Sequence, residues 1–187
     1  MTTRLTGVDG ERIIRDSLEE GDGKVSVLQV SPEVLGKYIK IASDDPDLVD
    51  EVRVLADTEV LKEVMDDFLV SSAASDLLNQ GKLSLYSSSD GERRSLVVVD
   101  DSAVVSYTNL DGGVGALSSE DDDLVDSVTE VFESLWETGD EFTVRTPPMS
   151  KVRETLSEEI GEGTEKDFSE ILRVLDTAKG DGEGLDE

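Results

Sequence analysis

The chain has no cysteine and no histidine. Their absence excludes disulfides, thiolate or imidazole zinc sites, haem and iron–sulfur ligation, and any Ser-His-Asp or Cys-His nucleophile. Bases are scarce as well: 17 Lys and Arg face 45 Asp and Glu over 187 residues, a formal charge of −28. Binding to phosphates by counterion release needs several cations on one face, so direct DNA contact by residues 1–145 is not expected. No apolar run approaches the roughly 18 residues of a membrane span, and residues 1–10 lack the apolar segment of a signal peptide.

What is present is an acidic surface around a patterned core. Hydrophobic residues make up only 36% and charged residues 33%, a balance shared with disordered acidic chains. Periodicity separates this chain from them, because apolar positions follow strand and helix spacing up to about Ala178. At about 1 M salt the Debye length falls to about 3 Å, and acids then mainly hold water and cations. The composition reads as that of a cytosolic protein of a halophile. The alternative is a mesophilic acidic protein that mimics or binds a cationic partner.

Patterning divides the chain into units. A short helix is expected over 11–18, then a strand over 24–30 whose alternation breaks once, then a helix opened by Ser31-Pro32. A second β–α unit follows, with a strand over 52–56 and Thr58 capping a helix that carries Val60, Leu61, Val64, Met65, Phe68 and Leu69. Residues 70–80 continue as helix or break near Ser71-Ser72. Leu83 and Leu85 mark a strand, and 95–99 and 103–108 form two more around an Asp100-Asp101 turn. A run over 114–117 completes an antiparallel meander after Asp111-Gly112-Gly113. Ser118-Ser119 then caps a helix with the stripe Leu124, Val125, Val128, Val131, Phe132, Leu135 and Trp136. Pro147-Pro148 marks a boundary. Beyond it lie two amphipathic helices, with Val152, Leu156 and Ile160 on one and Phe168, Ile171, Leu172, Leu175 and Ala178 on the other.

The expected architecture is α/β: a mixed sheet of β–α units plus an antiparallel meander, flanked by helices, with a C-terminal helical pair. Residues 1–145 form the main domain, 146–179 a helical connector, and 180–187 a flexible acidic end.

Candidate chemistry is thin. Asp100 and Asp101 stand at a strand end, where carboxylates can hold a divalent ion or act as acid and base; a turn whose Asp side chains accept from backbone N–H groups explains them better. Asp121-Asp122-Asp123 suits the positive end of a helix dipole and lacks interleaved ligand spacing. Gly112-Gly113-x-Gly115 precedes a strand rather than opening a helix, so it reads as a hairpin loop and not a phosphate cradle. Neither a metal nor a cofactor is expected. Arg93-Arg94 is one of two basic groups, the other being Arg145 with Lys151 and Arg153.

The order SLVVVDDSAVVSYTNLDGG, then GALSSEDDDLVDSVTEVFESLWE, over 95–137 resembles half of a phospholipase D-like domain, in the form used as a sensor by archaeal TrmB-type regulators. The catalytic family has His-x-Lys, a spaced Asp, and Gly-Ser-x-Asn. Here the Asp matches Asp100 or Asp101, the later motif reads Ser106-Tyr107-Thr108-Asn109, and the basic pair falls near Arg93 and Ser95. The nucleophilic His is missing, so the resemblance implies a domain kept for binding or dimerisation, with no catalytic residues and Asn109 alone at a family site position.

Residues 1–187 as a whole, with PPMSKVRETLSEEIGEGTEKDFSEILRVLDTAKGDGEGLDE at the end, are similar to TbsP-type transcriptional regulators of halophilic archaea. That resemblance implies a regulator of sugar and gluconeogenic metabolism, a homodimer, a sugar-phosphate effector, and promoter DNA bound through a C-terminal winged helix beyond this stretch. The expected effector residues, from loops at strand ends, are Ser31, Arg93, Arg94, Thr108 and Asn109. Two alternatives remain: a stand-alone degenerate metal-dependent hydrolase with Asp100, Asp101 and Asn109 around an ion, and an interaction module without ligand.

Overall fold

Near-continuous apolar runs such as Val54-Leu55-Ala56 and Leu96-Val97-Val98-Val99 build strands whose two faces are both apolar, and such a sheet must be covered on both sides. The computed structural model describes residues 2–6, 12, 14, 15, 18, 23–88, 95–110, 113–160 and 162–180. It divides into two units, 1–146 and 147–187.

In the first unit, β1 (Thr2–Thr6), β2 (Lys24–Leu28), β3 (Glu51–Ala56), β4 (Leu83–Ser87), β5 (Leu96–Val99), β6 (Ala103–Leu110), β7 (Gly113–Ser119) and β8 (Asp140–Glu141) form one sheet. The strand order is β1-β7-β6-β5-β2-β3-β4-β8. The pairs β2–β3 and β3–β4 are parallel, and the remaining pairs are antiparallel. The mixed sheet of β–α units and meander read from the sequence is thus the observed one. Helix α1 (Pro32–Asp44) crosses from β2 to β3, and α2 (Thr58–Met65) with α3 (Phe68–Asn79) crosses from β3 to β4.

These crossovers cover one face. Val25, Val27, Val52, Val54, Leu83, Leu85, Val97, Val105 and Tyr107 meet Val34, Leu35, Tyr38, Ile39, Leu61 and Leu77 there. Ile14 and Leu18, both helical, are fully buried in the same core. The opposite face is covered by α4 (Asp122–Trp136), whose Val125 and Val128 pack on Val98 and Val104, and whose Phe132 packs on Leu28 and Leu55. Each such buried Val or Leu contributes about 1.5–3 kcal/mol.

Three helix boundaries differ from the sequence reading. Residues 70–79 are helical, the first of the two alternatives read there, and the break falls earlier, at Asp66-Asp67, because the Asp67 carboxylate accepts from the amides of Leu69 and Val70 and opens a new helix; Ser71 and Ser72 are buried inside it. Thr58 is the first helical residue and Asp57 the cap. Ser118 and Ser119 belong to β7, and Asp121 caps α4 by accepting from the Leu124 amide at 3.2 Å. In each case an Asp takes the capping position expected one to several residues away.

The second unit holds α5 (Met149–Glu159) and α6 (Glu162–Gly180), which pack on each other. No residue of α5 is fully buried.

Candidate functional site

Because β2, β3 and β4 run parallel, their carboxyl ends share one edge of the sheet. β5 is antiparallel to β2 with Leu28 opposite Leu96, so β5 begins at that edge; β6 ends there and β7 begins there. On one side β2 pairs with a parallel strand and on the other with an antiparallel one, so the strand pattern changes at this point. Crevices outside the carboxyl ends of strands at such points are where open α/β sheets bind ligands.

Backbone bonds stitch the edge together. The Gln29 amide donates to Leu55 O at 2.9 Å, Ser95 N to Gln29 O at 3.3 Å, Tyr107 N to Ser95 O at 3.1 Å, and Ser88 N to Ala56 O at 3.1 Å. Gln29 and Ser95 hold left-handed backbones, with φ of +52° and +45°. Both α1 and α2 open here, their partial positive ends facing the edge. Ser31 caps α1, its Oγ accepting from Val34 N at 3.4 Å, with Pro32 in the first turn.

Of the residues expected to meet an effector, Ser31 lies at this edge as a helix cap. Thr108 is exposed, opposite Gly115 on β7, and Asn109 follows it in register with Val114. Arg93 and Arg94 lie outside the described residues; the flanking Ser88 and Ser95 stand at this edge. The topology therefore collects on one edge positions that are 77 residues apart between Ser31 and Thr108.

Sequence reasoning missed Gln29. Its Oε1 accepts from the Asp57 amide at 3.0 Å, tying the end of β2 to the start of α2. That bond fixes the amide orientation, since a backbone N–H can only donate. The Nε2 group is buried and has no hydrogen-bond partner among the described residues. The break in alternation at Leu28-Gln29-Val30 was the available signal.

Asp100 and Asp101 sit at the other edge. Both have φ near +50° and Ser102 N closes the turn on Val99 O at 3.0 Å, the two positive φ angles of a type I′ hairpin. Lys24 N donates to Asp100 Oδ1 at 2.8 Å while Asp100 N donates to Lys24 O at 2.9 Å, so the carboxylate serves the backbone as the turn reading expects. Six steps of strand from Ala103, at about 3.3 Å each, put Asn109 about 20 Å from the Asp100-Asp101 turn. A single ion cannot be shared by Asp100, Asp101 and Asn109, and the hydrolase alternative built on that trio is corrected here.

A second polar cluster lies beneath α4. Arg53 of β3 donates to Ser26 Oγ at 3.0 Å and Glu133 Oε1 at 2.7 Å, and its guanidinium lies 4.9 Å from the Phe132 ring centroid and 5.5 Å from that of Trp136. Tyr86 packs on Trp136 with ring centroids 4.2 Å apart. On the opposite face Tyr38 and Tyr107 share a buried 2.8 Å hydrogen bond with rings nearly perpendicular. Burial, and then the charge and hydrogen bond of Tyr107, push the Tyr38 phenol well above its ordinary value.

The family model for the N-terminal domain of TbsP-like transcriptional regulators matches residues 2–147. The chain belongs to that family. Comparison with curated protein sequences gave no match. Among solved structures, it is similar to TrmBL2, an archaeal chromatin protein whose structure shows a novel mode of DNA binding, with a TM-score of 0.54, 17% identity, and 75% of this chain on 53% of that one. It is similar also to Nuc, a phospholipase D family member of Salmonella typhimurium (TM-score 0.54, 12% identity, 76% and 99% of the two chains), and to NucT of Helicobacter pylori (0.50, 12%, 76% and 99%). At these identities the likeness is one of fold, a phospholipase D-like one. The chain spans about half of TrmBL2. Among its described residues no helix is long and apolar enough to cross a membrane.

Proposed function

We propose that this domain is the non-catalytic sensory and dimerisation part of a cytosolic regulator of sugar and gluconeogenic metabolism in a halophile. A sugar phosphate binds at the carboxyl edge of β2–β4, near Ser31, Thr108 and Asn109; Arg93 and Arg94, the other two expected effector residues, lie outside the described residues. Binding shifts the equilibrium between two dimer states, and 146–179 carries that shift to a C-terminal winged helix that reads promoter DNA. The observation that supports this best is the convergence on one edge of the strand-end segments around Ser31, Ser88, Ser95 and Thr108, with two helix N-termini opening beside them. Anions are favoured there by the helix dipoles, and the sequence between Ser88 and Ser95 carries the basic pair Arg93-Arg94.

The experiment is a melt of the chain in molar KCl. A ligand that binds only the folded state raises Tm by mass action. A phosphorylated sugar should raise Tm, and millimolar Mg²⁺ or Mn²⁺ should leave it unchanged. A shift with the metal alone, and none with any sugar phosphate, contradicts this function.

A further inference from the structure

Every polar atom of Gln29 but one is accounted for. Its N–H donates to Leu55 O at 2.9 Å, its carbonyl accepts from Ser95 N at 3.3 Å, and Oε1 accepts from Asp57 N at 3.0 Å. With Oε1 fixed as the acceptor, Nε2 is the donor left over, buried and without an acceptor among the described residues. The residue as a whole is only half-buried, so part of it is open at the carboxyl edge while the donor is shut in. Folded chains rarely keep such a donor, because it gives up its bonds to water and gains none.

The backbone is held in an unfavourable shape to put it there. Among the described residues, four that are not glycine have positive φ, and Asp100 and Asp101 need it for their hairpin turn. Gln29 and Ser95, at +52° and +45°, lie outside any hairpin and are bonded to each other at the edge. Conformations of this kind cluster at ligand sites, where the surrounding bonds hold them. Asp57, the single residue between β3 and α2, is tied to Gln29 by the same carboxamide. Asp67 and Asp121 use their carboxylates to cap α3 and α4, whereas the carboxylate of half-buried Asp57 caps no helix amide. A donor without an acceptor and a carboxylate not used as a cap thus adjoin at the ends of β2 and β3.

A hydroxyl both accepts and donates, and so matches such a pair; a phosphate is mainly an acceptor, and the carboxylate repels it. Given the sensory role proposed above, on which this rests, we infer that Gln29 and Asp57 read a hydroxyl of the sugar. Gln29 Nε2 donates to the hydroxyl oxygen, and the Asp57 carboxylate accepts from the hydroxyl hydrogen. The phosphate is held elsewhere on the edge. The pair determines specificity, since groups built to bond a hydroxyl are left unmatched by a ligand that lacks one.

The chain has four side-chain carboxamides, Gln29, Asn79, Gln80 and Asn109, so a proton–nitrogen correlation spectrum of the labelled chain can follow Gln29, assigned by its loss in Gln29→Glu. Glucose 6-phosphate, fructose 6-phosphate, ribose 5-phosphate and inorganic phosphate are each added in molar KCl. The sugar phosphate that raises Tm should move the Gln29 Nε2 protons downfield and slow their exchange, with exposed Gln80 unmoved. Inorganic phosphate should leave Gln29 where it was. Asp57→Asn keeps the backbone N–H that holds Gln29 and suits a helix cap, yet should bind that sugar phosphate roughly tenfold more weakly. A rise in Tm with the Gln29 protons unmoved overturns the inference and leaves the sensory function standing, as does an equal shift with inorganic phosphate or full affinity in Asp57→Asn. If none of the three sugar phosphates raises Tm, the sensory function falls and the role of this pair with it.

Discussion

Gly23 holds φ at +83°, and a Cβ there would stand 2.9 Å from Asp50 N and 3.0 Å from Leu48 O. Both are backbone atoms, and Gly23 O also accepts from the amides of Asp50 and Glu51. Nothing flexible can yield, so Gly23→Ala should destabilise by about 2 kcal/mol or more, read from thermal or denaturant unfolding. Tyr38 makes a prediction about pH. Its folded value is raised above the ordinary 10.0, so above about pH 10 the unfolded state loses this proton while the folded state keeps it. The unfolded state then binds fewer protons and stability falls as pH rises. Tyr38→Phe should cost about 1 kcal/mol at neutral pH and flatten the fall in Tm above pH 10; a fall as steep as in the wild type would remove Tyr38 as its cause.

At the scale of elements, α4 is held by a clamp as well as by apolar burial. Arg53 carries a charge into the apolar run 52–56, where Glu133 and the Phe132 and Trp136 rings meet it. Glu133 is 45% exposed, so the ion pair alone is worth little in molar salt, and ring stacking carries more of the effect. Arg53→Met should lower stability by about 1–2 kcal/mol, and Arg53→Lys should recover less than half of that, since an ammonium keeps the charge without the planar face. Equal stability for Lys and Arg at 53 would assign the clamp to charge instead. These elements also show what the sequence carried. Period-two runs such as Leu83-x-Leu85 and the glycine- or Asp-bounded meander made strands and mixed sheet legible. Helix starts were not, because in a chain this rich in acids many Asp can cap, and only the geometry at Asp67 and Asp121 selects among them. Edge sharing between Ser31 and Thr108 is a long-range consequence of strand order, which no local pattern encodes; Gln29 and Arg53 left only a single polar residue in an apolar run as their mark.

At the scale of the molecule, the −28 charge sets the conditions under which the fold persists. If it is an adaptation to salt, far-ultraviolet circular dichroism should show secondary structure lost as KCl falls from molar to millimolar, because the Debye length then grows from about 3 Å to about 30 Å or more and the acids repel across the whole surface. A spectrum unchanged over that series would instead fit a mesophilic acidic protein. The central claim is that the carboxyl edge of β2–β4 senses a sugar phosphate. Amide hydrogen exchange in molar KCl, with and without the sugar phosphate that raises Tm, tests it most directly. Added protection is expected at residues 29–33, 87, 88, 95 and 107–110, with the Asp100–Ser102 turn at the other edge unchanged. Protection confined to that turn, or none at the carboxyl edge, would contradict it.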